Sequence, residues 1–173
     1  MQGETKTHLR EFQERLSERL RNASATSRAA RLGLAIGGQR WLVDLAEAGE
    51  IVPIPTLMTP VPLTRDWFKG LVNLRGSLFG VSDLMRFSGD VFTPVSKESR
   101  LLALAGTLNL NAALVVTRML GLHDSTAWRA DLSRPHWAAW AGRCLVDGDG
   151  RDWYELSLSR LAADEQFLSV GRQ

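Results

Sequence analysis

Apolar and polar positions follow two different periods along this chain. In HLREFQERLSERL, Leu9, Phe12, Leu16 and Leu20 recur at three- and four-residue steps with Arg and Glu on the other faces. That spacing predicts an amphipathic helix, which Thr5 or Thr7 can cap. Its apolar stripe can pack on the rest of the protein or dock on a partner helix. NASATS, residues 22–27, is small and polar and reads as a linker. From Arg31 the period becomes that of strands. LGLAI, a Gly37-Gly38 turn and RWLVDL predict a hairpin. EIVPIP follows, and because Pro53 and Pro55 lack backbone donors this piece is expected to lie at a sheet edge or to leave the sheet there. TLMTPVPLTRD is a proline-rich loop.

The stretch WFKGLVNLRGSLFGVSDL, residues 67–84, carries the densest local signals. Leu71 to Leu74 and Leu78 to Val81 are apolar runs of strand length, and Gly76 can take the positive φ that a tight reversal demands. Asp83 is placed to cap a helical turn over Leu84 to Phe87, with Gly89 to end it. A hairpin feeding one helical turn is the corner of a small β-barrel. Residues 90–99 break the pattern, and a boundary between two half-domains is expected there. Beyond it, RLLALAG and NAALVV predict strands, Thr117 to Gly121 a turn, Asp147 to Gly150 the turn of another strand pair, and LSLSRLAADEQF a closing helix. Short strands with frequent turn signals argue for a mainly β protein built from barrels.

A chain of 173 residues that is 45% hydrophobic and 23% charged has the make-up of an ordinary globular protein. The longest apolar run is far short of the roughly 18 residues a membrane span needs, so a cytoplasmic protein is expected. The single cysteine, Cys144, agrees with a reducing compartment. The pI near 9.1 suggests nucleic acid until the charge is divided along the chain. Residues 1–31 hold seven Lys or Arg against four Glu, whereas residues 32–173 hold fourteen against fifteen acids. The globular part is near neutral and lacks a basic run with interleaved aromatics, which counts against a nucleic-acid surface.

Candidate chemistry is thin. DGDGRD at 147–152 looks like a calcium loop, but such a loop wants glycine sixth and a bidentate Glu twelfth, where Asp152 and Leu158 stand. His8, His123, His136 and Cys144 are scattered without paired spacing, so no metal site is expected. RGSLFG has the wrong spacing for a nucleophile elbow, IGGQRW runs into a strand rather than a phosphate-binding helix, and His136 has no assignable carboxylate partner. No catalytic residue and no cofactor is expected. Among six tryptophans, Trp128 or Trp137 is a candidate for exposure at an interface.

LVDLAEAGEI (42–51) and WFKGLVNLRGSLFGVSDLMRFSG (67–89) resemble the CheW-like coupling modules of bacterial chemosensory systems, over about residues 31–165. The resemblance implies two five-stranded SH3-like β-barrels with short helices, a hydrophobic groove between them and no catalysis. It places a first barrel at about 29–92, a second at about 98–156, a closing helix at 157–165 and a tail at 166–173, after an N-terminal helix and linker at 1–28. Its implied partners are the regulatory domain of a CheA-type histidine kinase and the cytoplasmic tip of a methyl-accepting chemoreceptor, with recruitment to membrane-associated arrays. The matched motifs imply partner-binding residues Glu50, Val52, Gly70, Arg75 and Gly76, with a Glu50–Arg75 salt bridge. A guanidinium fork can hold a carboxylate bidentately, which lysine cannot do as well.

The chain departs from the family at Phe79 to Leu84, where V-P-V-x-D-L is common, and at Ala113 to Thr117. The helical N-terminus and the FLSV ending are similar to the PilI branch, which serves type IV pilus systems and twitching motility. A ligand- or nucleic-acid-binding β-barrel is the rival reading, because fold alone does not decide function. An enzyme completed by a partner chain is a further one.

Overall fold

In a computed structural model the described residues are 30–134 and 137–172, so the expected N-terminal helix, the linker and His136 lie outside them. β1 (Ala30–Ile36) and β2 (Gln39–Asp44) pair antiparallel with Ile36 opposite Gln39, which leaves Gly37-Gly38 as the turn. β3 (Ala48–Pro53) follows, then β4 (Phe68–Leu74) and β5 (Ser77–Ser82), joined at Arg75-Gly76. The helical turn α1 (Leu84–Phe87) comes next, capped by Asp83 as expected. β6 (Arg100–Leu104), β7 (Ala112–Val116), β8 (Arg118–Asp124) and β9 (Arg129–Asp131) continue the chain. It closes with β10 (Ala141–Val146), β11 (Asp152–Leu156) and two short helices, α2 (Leu158–Ala162) and α3 (Glu165–Leu168).

These strands form two sheets, one ordered β8-β1-β2-β11-β10-β9 and the other β3-β6-β7-β5-β4. The sheets do not divide at residues 90–99 as the pattern suggests. β1 and β2 join the late strands through a parallel pairing of Trp41 with Tyr154, and β6 and β7 join the early ones through a parallel pairing of Gly80 with Ala112. Alternation marks a strand but not its neighbour, and both pairings span long stretches of chain. β3 lies at a sheet edge, as its proline requires.

The strongly apolar runs are strands buried on both faces. All five residues of β7 are buried: Ala113 and Val115 join Val72, Val81, Leu101 and Ala103 in one cluster, while Ala112, Leu114 and Val116 face the other way. That second face packs with Trp41, Val43, Tyr154 and Leu156 from the six-stranded sheet, so the largest cluster lies between the sheets. Leu42, Leu145 and Trp153 fill a third cluster. Thr59 and Leu71 exchange backbone hydrogen bonds of 2.9 and 2.8 Å, which ties the chain leaving β3 to the opposite edge strand, β4.

Three local expectations need correction. The turn expected at Thr117 to Gly121 is mostly strand, since β8 begins at Arg118 and Gly121 sits within it at φ +83°. The single closing helix is two, because the Asp164 carboxylate accepts from the backbone N–H groups of Gln166 and Phe167 and starts a new helix. Past α3 the chain is held by backbone hydrogen bonds, Arg65 N–H donating to the Val170 carbonyl and Arg172 N–H to that of Leu63. Trp128 and Trp137 are half-buried rather than displayed. Their rings pack on Trp153 and on Trp41, at 5.3 and 5.4 Å.

Candidate partner-binding site

The turn between β4 and β5 holds two successive residues at positive φ, Arg75 at +49° and Gly76 at +86°. A two-residue hairpin that follows the strand twist needs this geometry. Glycine adopts it freely, but an L side chain there carries about 1 kcal/mol of strain. Asn73 supports the turn, its Oδ1 accepting from Gly76 N–H at 2.8 Å. The consequence of placing arginine in the turn is reach. Arg75 Nε lies 3.0 Å from Glu50 Oε1 on β3, so the ion pair links this turn to the opposite edge strand of the five-stranded sheet.

The pair is solvent-facing, with 84% of the Arg75 side chain and 34% of Glu50 exposed. An exposed pair of this kind contributes about 0–1 kcal/mol to stability. The nearest approach is through the guanidinium Nε. Beside it, Ile51 is 40% exposed and Leu78, three residues beyond Arg75, is 59% exposed. Charge with apolar surface next to it, on a short rigid turn, suits contact with another macromolecule.

Residues 31–166 match the family model described as CheW-like domain. The chain belongs to the CheW-like domain family. It is 32% identical over 91 residues to protein PilI of Pseudomonas aeruginosa, a match covering 53% of this chain and 50% of that protein. The chain is thus aligned with about half the length of this curated relative. Among solved structures, the scaffolding protein TtCheW from Thermoanaerobacter tengcongensis superposes with a TM-score of 0.62 at 20% identity, over 75% of this chain and 88% of the other. The mainly β, two-sheet architecture is therefore that of the CheW-like fold.

Within this domain the five residues singled out from the sequence occupy three kinds of position. Glu50, Arg75 and Gly76 meet at the exposed turn. Gly70 is buried: a Cβ there would lie 2.4 Å from the Thr59 carbonyl oxygen, and its φ is +129°. Its bare backbone lets the 59–60 segment close onto β4. Val52 packs against the Val72 and Leu101 cluster, which leaves its neighbour Ile51 facing outward. Strand alternation could have found Ile51 had the inward phase of β3 been known.

At the other end of β5 stands a second acidic corner. Asp83 is 2% exposed, and its carboxylate accepts from Arg86 N–H at 3.2 Å, Thr93 N–H at 2.8 Å and Thr93 Oγ1 at 2.7 Å. These bonds tie the irregular 90–99 segment to the sheet. In the DGDGRD turn Asp147 and Asp149 pair with Arg151, while Asp152 pairs with Arg134. Burial pushes the Asp147 carboxyl pKa up, but hydrogen bonds from the Arg151 and Asp149 N–H groups, the Trp153 indole and the Arg151 guanidinium outweigh it and hold it well below the usual range. Among the described residues no group of three His, Cys, Asp or Glu could hold a metal ion, and no helix is long and apolar enough to cross a membrane.

Proposed function

We propose that this protein is a non-catalytic cytoplasmic adaptor coupling chemoreceptors to a CheA-type histidine kinase, in a chemosensory system controlling type IV pilus twitching motility. The observation that carries it is the Glu50–Arg75 pair, exposed on a rigid hairpin of a CheW-like domain. The similarity to PilI supports the pilus assignment. Glu50, Arg75 and Gly76 form the contact surface, while Gly70 and Val52 hold its scaffold in place. An adaptor alters signalling only if receptor state changes its affinity for, or its geometry on, the kinase, a coupling of about 1–3 kcal/mol.

Gel filtration with the regulatory domain of a CheA-type kinase, then with a receptor-tip fragment added, tests this reading. Co-elution of all three, lost with Arg75→Glu, supports it. Absence of binding to both, or salt-sensitive binding to oligonucleotides, overturns it.

A further inference from the structure

Thr117, between β7 and β8, ties together three separate stretches of chain. Its N–H donates to the Ala35 carbonyl at 2.9 Å, its Oγ1 accepts from Gly37 N–H at 3.0 Å, and its carbonyl accepts from the buried Ser99 hydroxyl at 3.2 Å. Ser99 Oγ also accepts from Ser96 N–H at 2.8 Å, which holds the turn before β6.

Four cations border this junction. Arg118 is the next residue, Arg40 stands opposite Ala35 in the β1–β2 register, and Arg100 stands opposite Val116 in the β6–β7 register. Lys97 is the fourth, tied in by Arg100, whose Nη1 donates to the Lys97 and Ser99 carbonyls at 2.9 and 2.8 Å. Arg40, Lys97 and Arg118 are exposed and Arg100 is half-buried. With about 5 Å between neighbouring strands, the four form a row roughly 15 Å long.

The row is not neutralised. Among the described residues none of the four makes an ion pair, and the one acid within the row is Glu98. Acids on surrounding strands and turns are engaged with other cations: Glu50 with Arg75, Asp147 and Asp149 with Arg151, and Asp152 with Arg134. Asp90 lies by Arg86, which donates to its carbonyl at 3.3 Å. In a globular part with fourteen cations against fifteen acids, four against one is a local concentration of positive charge.

We propose that this row docks an acidic segment of a protein partner, whose carboxylates meet the Arg40 and Arg118 guanidinium groups and the Lys97 ammonium. The uncompensated charge gives the occupant its sign. Planar guanidinium forks match carboxylates, and a row fixed by backbone hydrogen bonds suits acids carried along one helix or strand. Arg100 is a positioning residue, because its two carbonyl contacts fix the turn that presents Lys97. A bilayer fits less well, since the turns that carry the row offer no large exposed apolar side chain beyond Val95 to insert. A nucleic acid also fits less well, since no exposed aromatic ring stands among the four cations to stack on a base.

The proposal does not rest on the coupler reading, and its test contains neither kinase nor receptor. The isotope-labelled full chain is titrated with a short glutamate-rich peptide, its lysine counterpart, oligothymidylate, and phosphatidylcholine vesicles containing phosphatidylserine. Expected are shifts of the Arg40, Lys97 and Arg118 amides with the glutamate peptide, weakened by salt. Arg40→Glu or Arg118→Glu raises the dissociation constant about tenfold, whereas Arg160→Glu, the same charge change on α2, leaves it unchanged. Glu98→Lys lengthens the uncompensated row and lowers the dissociation constant about threefold, an outcome that a misfolded variant could not produce. Equal weakening by Arg160→Glu, no tightening by Glu98→Lys, or equal binding of the lysine peptide overturns the proposal. So do tighter binding of oligothymidylate or vesicles, shifts that map elsewhere, and an unshifted spectrum at millimolar peptide.

Discussion

Beside the two ends of β5 stand acids in opposite surroundings. Glu50 at the Arg75 turn makes one exposed ion pair, while Asp83 at the α1 corner is buried and accepts three hydrogen bonds. A buried carboxylate that receives several donors holds its surroundings rigid, and removing it strands each donor. An exposed pair adds little to stability and stays available to another molecule. One hairpin therefore joins a buried, fully hydrogen-bonded corner to a solvent-exposed turn.

Removing the buried acid should have the largest effect. Asp83→Ala leaves the Thr93 N–H and hydroxyl unpaired and should cost about 3–4 kcal/mol in chemical denaturation; a cost under about 1 kcal/mol would erase the contrast between the corners. Gly70→Ala places a methyl against the Thr59 carbonyl oxygen and should cost about 2–3 kcal/mol. Arg75→Glu should change stability by less than about 1 kcal/mol yet weaken kinase or receptor association by about tenfold. Pairing it with Glu50→Arg should recover part of that loss if the pair sets the turn's shape, and none if Arg75 meets the partner directly.

The smallest effect concerns acid. Asp147 has a depressed folded pKa, so its contribution is present above the unfolded carboxylate value of about 4 and is lost as pH falls through the folded one. Unfolding midpoints should hold level from neutral pH to about 4 and then drop. In Asp147→Asn the drop should be shallower, and the neutral midpoint lower. An unchanged acid limb would show that the turn's hydrogen bonds do not persist in solution.

Much of the local structure was readable in the letters. Asp83 capping, the Gly37-Gly38 turn and the Arg75-Gly76 turn depend on residues close in sequence, and the structure has all three. Gly121 misled because a glycine can mark a kink within a strand as well as a turn. The Glu50–Arg75 contact came from family resemblance rather than spacing, as its partners stand on strands that nothing local brings together. The cation row around Thr117 was invisible for the same reason. It needs β1, β2, β6 and the β7–β8 link in one place.

By itself the sequence determined that this protein is a set of short strands with defined turns and caps, since period-two alternation and turn chemistry act over a few residues. Only the tertiary structure decided which strands pair across the chain, that Ile51 rather than Val52 faces out, and that an ion pair links β3 to the β4–β5 turn. Those outcomes follow from which neighbour covers each face, and that is set by burial summed over the whole core.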